Sequence, residues 1–160
     1  MFDVHIDATY AWLGVALVSV VTAGVAATLP ASPPPDANGV AHTIDSVADG
    51  EYPATAVHGL ASDRIRLTTG TVALANEGGT ARARLHAPRI TPVPSTDASV
   101  DGRLRQLLEG VPPDVAFEDP ETLDDAAEDA RASNDDWHAA PNELTVRRVH
   151  YGGVHVTLVG

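Results

Sequence analysis

The feature that most constrains the fold is an uncharged segment near the start of the chain, from Ala8 to Leu29. These 22 residues contain no charged residue and no Pro, Asn or Gln. As a helix they would span roughly 33 Å, close to the thickness of a bilayer hydrocarbon core. Tyr10 and Trp12 lie at the N-terminal edge of the segment, where aromatic side chains anchor membrane helices. The segment therefore predicts that residues 1–29 form a short tail and a transmembrane helix.

Two other interpretations of this segment remain open. A cleaved signal peptide requires a basic region before its apolar run. Here Asp3 and Asp7 precede the run, and no Lys or Arg does. A buried core helix in a domain of this size should carry a polar stripe, which the segment lacks. A retained membrane anchor is the favoured interpretation.

Small residues recur along the same segment with the spacing of helix–helix contacts in membranes. Ser19, Ala23 and Ala27 repeat every four residues, which lets helix backbones approach closely. They are the predicted transmembrane packing residues, although an Ala-rich helix also produces such stripes by chance. The predicted partners are membrane lipid and other transmembrane helices of a surface assembly or homo-oligomer. The predicted location is the cell membrane, single-pass, with the C-terminal domain extracytoplasmic.

The balance of charge limits what the soluble part can bind. The chain has 22 acidic and 10 basic residues, a formal net charge of -12, and all of its basic residues are arginines. Such a charge disfavours nucleic acid, which binds cationic surfaces. It is typical either of disorder or of a halophilic acidic surface, and the apolar content of 44% favours the latter. Without cysteine, disulfides and thiolate metal sites are excluded.

After the membrane span, the sequence divides into a Pro-rich linker, residues 30–37, and an extracytoplasmic α+β domain, residues 38–160. The linker is stiff because proline fixes φ and restricts the residue before it. Asp36 can cap a short helix with Val40 and Ile44 on its apolar face.

Strand patterns follow between about residues 54 and 93. Ile65 and Leu67 alternate with arginines, and TVALAN places Val72 and Leu74 on one face. EGG is a hairpin signal, and TARARLHA alternates as a half-buried antiparallel strand does. PRITPVPST predicts an edge strand or an extended segment, because its prolines cannot donate to a sheet.

Helical patterns and a final hairpin complete the predicted domain. One helix places three leucines on one face and stops at Gly110. A second begins after Asp119 as its cap and runs to about Ser133. In ELTVRRVHYGGVHVTLVG, a two-residue turn at the paired glycines sets Tyr151 opposite Val154, His150 opposite His155 and Val149 opposite Val156. The predicted fold class is α+β: a single N-terminal transmembrane helix followed by an antiparallel-sheet domain with two or three short helices.

The sequence contains few candidates for chemistry. The facing His150 and His155 are weak metal-ligand candidates, with His86 or His138 as a third ligand. Arg82 and Arg84, which precede His86 on the same strand face, suggest an anion patch or partners for nearby acids. No nucleophile elbow, HExxH motif or phosphate-binding loop is present. We therefore predict neither enzyme activity nor a cofactor.

Four stretches resemble a family of small haloarchaeal membrane proteins of unknown function. They are AWLGVALVSV, LPASPPPDA, DRIRLTTGTVALANEGGTA and RLRQLLEGVPPDVAFEDP. The resemblance carries no catalytic residues. It implies an association with pilus-like, type IV secretion-type machinery, and hence a pilin-like or accessory component. The acidic residues before the apolar run, and the absence of a basic leader, favour a membrane-anchored accessory subunit over a filament-forming pilin.

The predicted function is therefore a non-enzymatic, membrane-anchored component of a haloarchaeal cell-surface pilus or secretion apparatus. The alternative is a surface-anchored ligand- or metal-binding module. Metal binding that is lost on changing His150 and His155 would favour the alternative.

Overall fold

The computed structural model describes residues 32–87, 89–93, 102–133 and 136–160. These residues belong to one compact unit, Ser32–Gly160. Four helices lie in the described residues: α1 (Ala37–Ala48), α2 (Gly102–Glu109), α3 (Pro113–Ala116) and α4 (Pro120–Ser133). The strands are β1 (Ala54–Gly59), β2 (Arg64–Leu67), β3 (Thr71–Asn76), β4 (Gly79–Arg84), β5 (Thr91–Pro92), β6 (His138–Ala139), β7 (Glu143–Tyr151) and β8 (Val154–Val159).

Helix α1 begins where the sequence predicts. The carboxylate of Asp36 accepts a hydrogen bond from the Gly39 N–H at 2.8 Å, which satisfies one of the free donors of the first turn. Val40, Ile44 and Val47 are buried along one side of the helix. They share a core cluster with apolar side chains from both sheets, so α1 is the element on which the two sheets meet.

Sheet 1 has the strand order β1-β7-β8-β5. Strands β7 and β8 form the predicted C-terminal hairpin, and β1 pairs antiparallel to the other edge of β7. The predicted register is confirmed: Tyr151 lies opposite Val154, His150 opposite His155 and Val149 opposite Val156. Leu144 and Val146 point to the cluster around α1. Helices α2 to α4 cover the opposite face of the sheet.

Sheet 2 has the strand order β4-β3-β2-β6, and all of its pairs are antiparallel. Tight turns join β2 to β3 and β3 to β4, as the glycine-containing segments predict. Ile65, Leu67, Val72 and Leu74 form its buried inner face against α1. Because side chains alternate along a strand, the residues between them face outward.

The predicted fold class needs three corrections. The strands form two sheets instead of one, and β5 pairs parallel to β8. The segment VPPDVAF, between the two helices predicted around Gly110 and Asp119, contains the one-turn helix α3, so the described part has four helices. No helix of that part is long and apolar enough to cross a membrane. The transmembrane helix predicted at residues 8–29 lies outside the described residues.

These corrections have a common physical origin. Alternation shows that a segment is a strand, but it does not name the strand's partner. β1 pairs with β7, and β2 with β6, across long stretches of chain, so local patterns carry no signal for them. β5 is short because Pro92 has no N–H to donate, which confines it to a sheet edge.

Candidate functional site

The two histidines predicted as metal-ligand candidates do lie together on the β7–β8 hairpin. The ring centroids of His150 and His155 are 4.0 Å apart, and the ring planes make an angle of 16°. A metal ion lies in the plane of each imidazole that binds it. Two nearly parallel, stacked planes do not share a point between the rings, so this arrangement is a stacking contact and not a converging pair of ligands.

Hydrogen bonding also occupies one nitrogen of this pair. The Arg148 Nε–H donates to His150 Nε2 at 3.0 Å. The Nη1–H of the same arginine donates to the Ala48 carbonyl at the end of α1. His150 Nε2 must accept, because a guanidinium has no acceptor. Burial, the His155 ring and the Arg148 charge, in that order, lower the pKa of His150. His155 stacks on His150, His150 accepts from Arg148, and Arg148 in turn holds the hairpin against α1.

The predicted third ligands lie elsewhere. His86 Nδ1 is 3.2 Å from the Asp45 carboxylate on α1, and His138 is in β6 of sheet 2. Within the described ranges, no group of three or more His, Asp or Glu side chains is placed to hold a metal ion. The predicted packing residues Ser19, Ala23 and Ala27 lie outside those ranges.

A different cluster forms on the outer face of sheet 2. Antiparallel pairing sets Arg66 of β2 beside Ala73 of β3, and Ala73 beside Arg82 of β4. In the neighbouring row, Thr71 lies opposite Arg84. Arg64 occupies the remaining outward position of β2. Four of the ten basic residues of the chain therefore face outward on this sheet: Arg64, Arg66, Arg82 and Arg84. We call these outward residues the arginine face.

The alanines of β3, which lies between β2 and β4, make room for the arginines. Ala73 and Ala75 point outward, yet they are only 6% and 4% exposed. Long arginine side chains lay their aliphatic stems over apolar neighbours and keep their charged ends in water. The small residues of β3, between β2 and β4, thus leave a hollow with methyl groups at its base and guanidinium groups at its sides.

The hollow is a shallow pocket of about 210 Å³ lined by Arg66, Thr71, Ala73, Arg82, Ala83 and Arg84. None of the described acidic residues lines it. Arg82 and Arg84 form no ion pair with the part of the chain that the structure describes. Arg64 lies outside the pocket, with its guanidinium 5.4 Å from the centroid of the Trp137 ring. The arginine face therefore has a distinct concave part and a flanking arginine that does not belong to it.

Thr71 supplies a hydroxyl group to this pocket in a fixed position. The Thr68 hydroxyl oxygen accepts hydrogen bonds from the backbone N–H groups of Thr71 at 3.0 Å and of Gly70 at 3.4 Å. The Thr68 and Thr71 hydroxyl oxygens lie 2.7 Å apart and share a hydrogen bond in which either group can donate, and the Thr68 hydroxyl also donates to the Thr71 carbonyl at 3.4 Å. When the Thr68 hydroxyl is the donor of that pair, the Thr71 O–H is available to donate to a ligand. The pocket offers hydrogen-bond donors and positive charge together, which suits an anion.

Fold and surface together define an α+β domain of two four-stranded sheets with a cationic pocket on an otherwise acidic chain. The chain belongs to the family of unknown function DUF7283, whose family model matches residues 3–149. No curated protein and no solved structure matches the chain.

Proposed function

We propose that this chain is a non-enzymatic component, pilin-like or accessory, of a haloarchaeal cell-surface pilus or secretion apparatus. It is held at the cell membrane through residues 1–29, with residues 38–160 on the outer side, and it works by contacting other subunits. The uncharged segment from Ala8 to Leu29 supports membrane association. The formal net charge of -12 supports a halophilic host. The family resemblance supports the apparatus.

The observation that carries a role in assembly is the open edge of sheet 1. Among the described strands, β1 is the end strand of that sheet and pairs along one edge only, with β7. It is six residues long and contains no charged residue and no proline. Val57 in β1 and Tyr52 just before it are 56% and 73% exposed. A strand with free backbone groups and apolar side chains is a template for a strand from another subunit.

The other described sheet edges are protected in the usual ways. β4, the edge of sheet 2, carries Arg82 and Arg84, whose charges oppose the approach of a second strand. β5 and β6 are two residues long, which is too short for stable pairing. Of the edges in the described part, β1 is the one that retains length and an apolar surface, so we assign the contact with a partner strand to it.

Replacing Val57 by Lys tests this contact. A Lys on the exposed side of the strand leaves the core intact but opposes strand addition. Val115→Lys is the matched control, because Val115 is also exposed, at 71%, but lies on α3. We expect Val57→Lys to release the chain from its native complexes in crosslinking and sedimentation measurements, while Val115→Lys leaves them intact. Equal behaviour of the two variants would remove β1 from the proposal.

The membrane location has its own test. Fractionation of the native cells, followed by intact-mass measurement, should find the full-length chain with the membranes. Recovery of a soluble product that lacks about the first thirty residues would mean cleavage of a signal peptide. A full-length soluble chain would contradict membrane association outright.

A ligand-binding module on the cell surface is the second candidate. The pocket on the arginine face favours an anionic ligand. The parallel rings of His150 and His155 weigh against the metal-binding form of this candidate.

A further inference from the structure

We propose that the pocket formed by Arg66, Arg82, Arg84 and Thr71 binds a tetrahedral, doubly charged oxyanion of the phosphate or sulfate type. The anion is either free or the terminal group of a larger molecule. This proposal deepens the second candidate function and does not depend on the role of β1 in assembly.

The register of sheet 2 places the arginines on opposite sides of one point. Neighbouring strands lie about 4.8 Å apart, so the backbones at Arg66 and Arg82 are separated by about 10 Å, with Ala73 between them. Arg84 and Thr71 form the adjoining row. An anion seated above Ala73 is within reach of guanidinium groups from two strands and of a hydroxyl group from the third.

The chemistry of these groups favours a tetrahedral dianion over a carboxylate. One guanidinium group already satisfies both oxygens of a carboxylate by a two-point hydrogen bond. Three guanidinium groups and the Thr71 hydroxyl present more donors, and more positive charge, than one carboxylate can use. A phosphate or sulfate group has oxygen atoms pointing in several directions and carries about two negative charges.

The charges around the arginine cluster also favour the binding of an anion. Neighbouring like charges on a sheet face destabilise the fold. Although the chain has 22 acidic residues, no acidic residue of the described ranges lines this pocket. Arg82 and Arg84 are exposed and have no ion-pair partner among the described residues. A bound dianion would relieve the repulsion between the neighbouring Arg82 and Arg84 side chains.

The size of the pocket limits the ligand. Its volume of about 210 Å³ is below the range of roughly 300–1,000 Å³ for sites that enclose drug-sized ligands. It accommodates a single phosphate or sulfate group, whereas a nucleotide base or a helix would remain outside. A larger ligand would therefore insert only its charged terminal group.

Phosphorus NMR of inorganic phosphate, titrated with the purified full chain at fixed chloride concentration, tests the site. We expect saturable binding that sulfate displaces and acetate displaces much less well. Arg82→Gln and Arg84→Gln should each raise the dissociation constant about tenfold or more, which corresponds to the loss of one charge-assisted hydrogen bond. Thr71→Val should weaken binding by a smaller factor.

Arg64→Gln is the matched control. It removes the same charge from the same face, but Arg64 packs on Trp137 and does not line the pocket. Its effect should stay within about twofold, because charges beyond direct contact are screened by salt. Thermal unfolding of every variant identifies any that fails to fold, and the proposal is then judged on the remaining pocket variants.

Several outcomes would overturn the proposal. They are the absence of phosphate binding at concentrations up to about 50 mM, an equal loss in Arg64→Gln, unchanged binding in Arg82→Gln and Arg84→Gln, and displacement by acetate as effective as by sulfate. Comparing the binding of inorganic phosphate with that of glycerol phosphate distinguishes a free ion from the terminal group of a larger molecule. Equal or tighter binding of inorganic phosphate indicates the free ion, whereas tighter binding of the ester indicates a group on a larger molecule.

Discussion

The carboxylate of Asp45 is the clearest single anchor between α1 and the segment that leaves β4. Its Oδ1 accepts the backbone N–H groups of His86 and Ala87, both at 3.0 Å. Its Oδ2 lies 3.2 Å from His86 Nδ1. The Asp45 side chain is only 15% exposed, while that of His86 is 84% exposed. We therefore expect the two amide contacts, more than the histidine contact, to hold this segment in place.

The structure gives the size of the effect. A hydrogen bond to a charged group contributes about 1.5–3 kcal/mol, and a buried donor left unpaired costs about 1–3 kcal/mol. Ala87 is buried, so its N–H loses its partner in Asp45→Ala, whereas the N–H of exposed His86 can bind water. The free energy of unfolding should fall by about 2–4 kcal/mol. Asp45→Asn keeps one acceptor oxygen and should lose about half as much.

The pH dependence follows from the same contacts. Burial raises the pKa of Asp45, but the hydrogen bonds from Ala87 and His86, together with the His86 charge, outweigh it and lower the pKa below its ordinary value of 3.8. A carboxyl whose pKa is lower in the folded state stabilises the protein above pH 3.8 and loses that contribution as the pH falls through the lowered value. The difference between wild type and Asp45→Asn should therefore narrow below that pH.

Urea unfolding followed by circular dichroism, at constant salt, measures these differences. Asp49→Ala is the matched control, since Asp49 is an exposed aspartate just beyond the same helix. Its effect should stay within about 0.5 kcal/mol. If Asp45→Ala cost no more than Asp49→Ala, the anchoring role of the Asp45 carboxylate would be refuted.

Two further predictions concern the β7–β8 hairpin. Gly152 and Gly153 both have positive φ, at 54° and 90°. A Cβ on Gly152 would meet the Pro120 ring, whereas a Cβ on Gly153 would lie more than 4 Å from every described atom outside its chain neighbours. Gly152→Ala should thus lower the melting temperature clearly more than Gly153→Ala, and equal shifts would show that Pro120 moves aside freely. The pKa of His150 is lowered, first by burial and then by the charge of His155. The contribution of neutral His150 to the free energy of unfolding should therefore be fully present above pH 6.5 and be lost as the pH falls below that value. His155→Gln should reduce this loss in unfolding measurements between about pH 5 and 8, and an unchanged pH profile would contradict the coupling.

Local features of the fold could be predicted well from the sequence. Asp36 and Asp119 accept hydrogen bonds from the third residue after them, at Gly39 and Thr122, as N-caps do. The paired glycines fixed the register of the C-terminal hairpin, and this sorted its side chains correctly between the two faces. These predictions succeed because caps and two-residue turns depend only on neighbouring residues.

The candidate site was only half visible for the opposite reason. Arg82 and Arg84 were grouped with His86 because the three alternate along one segment. In the structure β4 ends at Arg84, and His86 turns to Asp45 on α1. The missing member, Arg66, lies on another strand. The turn signals TTG and EGG did allow β2, β3 and β4 to be aligned, and that alignment would have placed Arg66 in the row of Arg82.

The pairing of β1 with β7 has a consequence for how the protein reaches its folded state. β2 to β4 are neighbours in sequence, whereas Ala54 pairs with Arg148, so sheet 1 can close only after nearly the whole domain has been made. Contacts this distant slow folding. During that interval β1, which carries no charge, is open on both edges and is prone to aggregation. The yield of functional protein should thus depend on how quickly β7 is synthesised and pairs with β1. A chaperone that shields residues 54–59 would raise this yield more than an increase in the free energy of unfolding would.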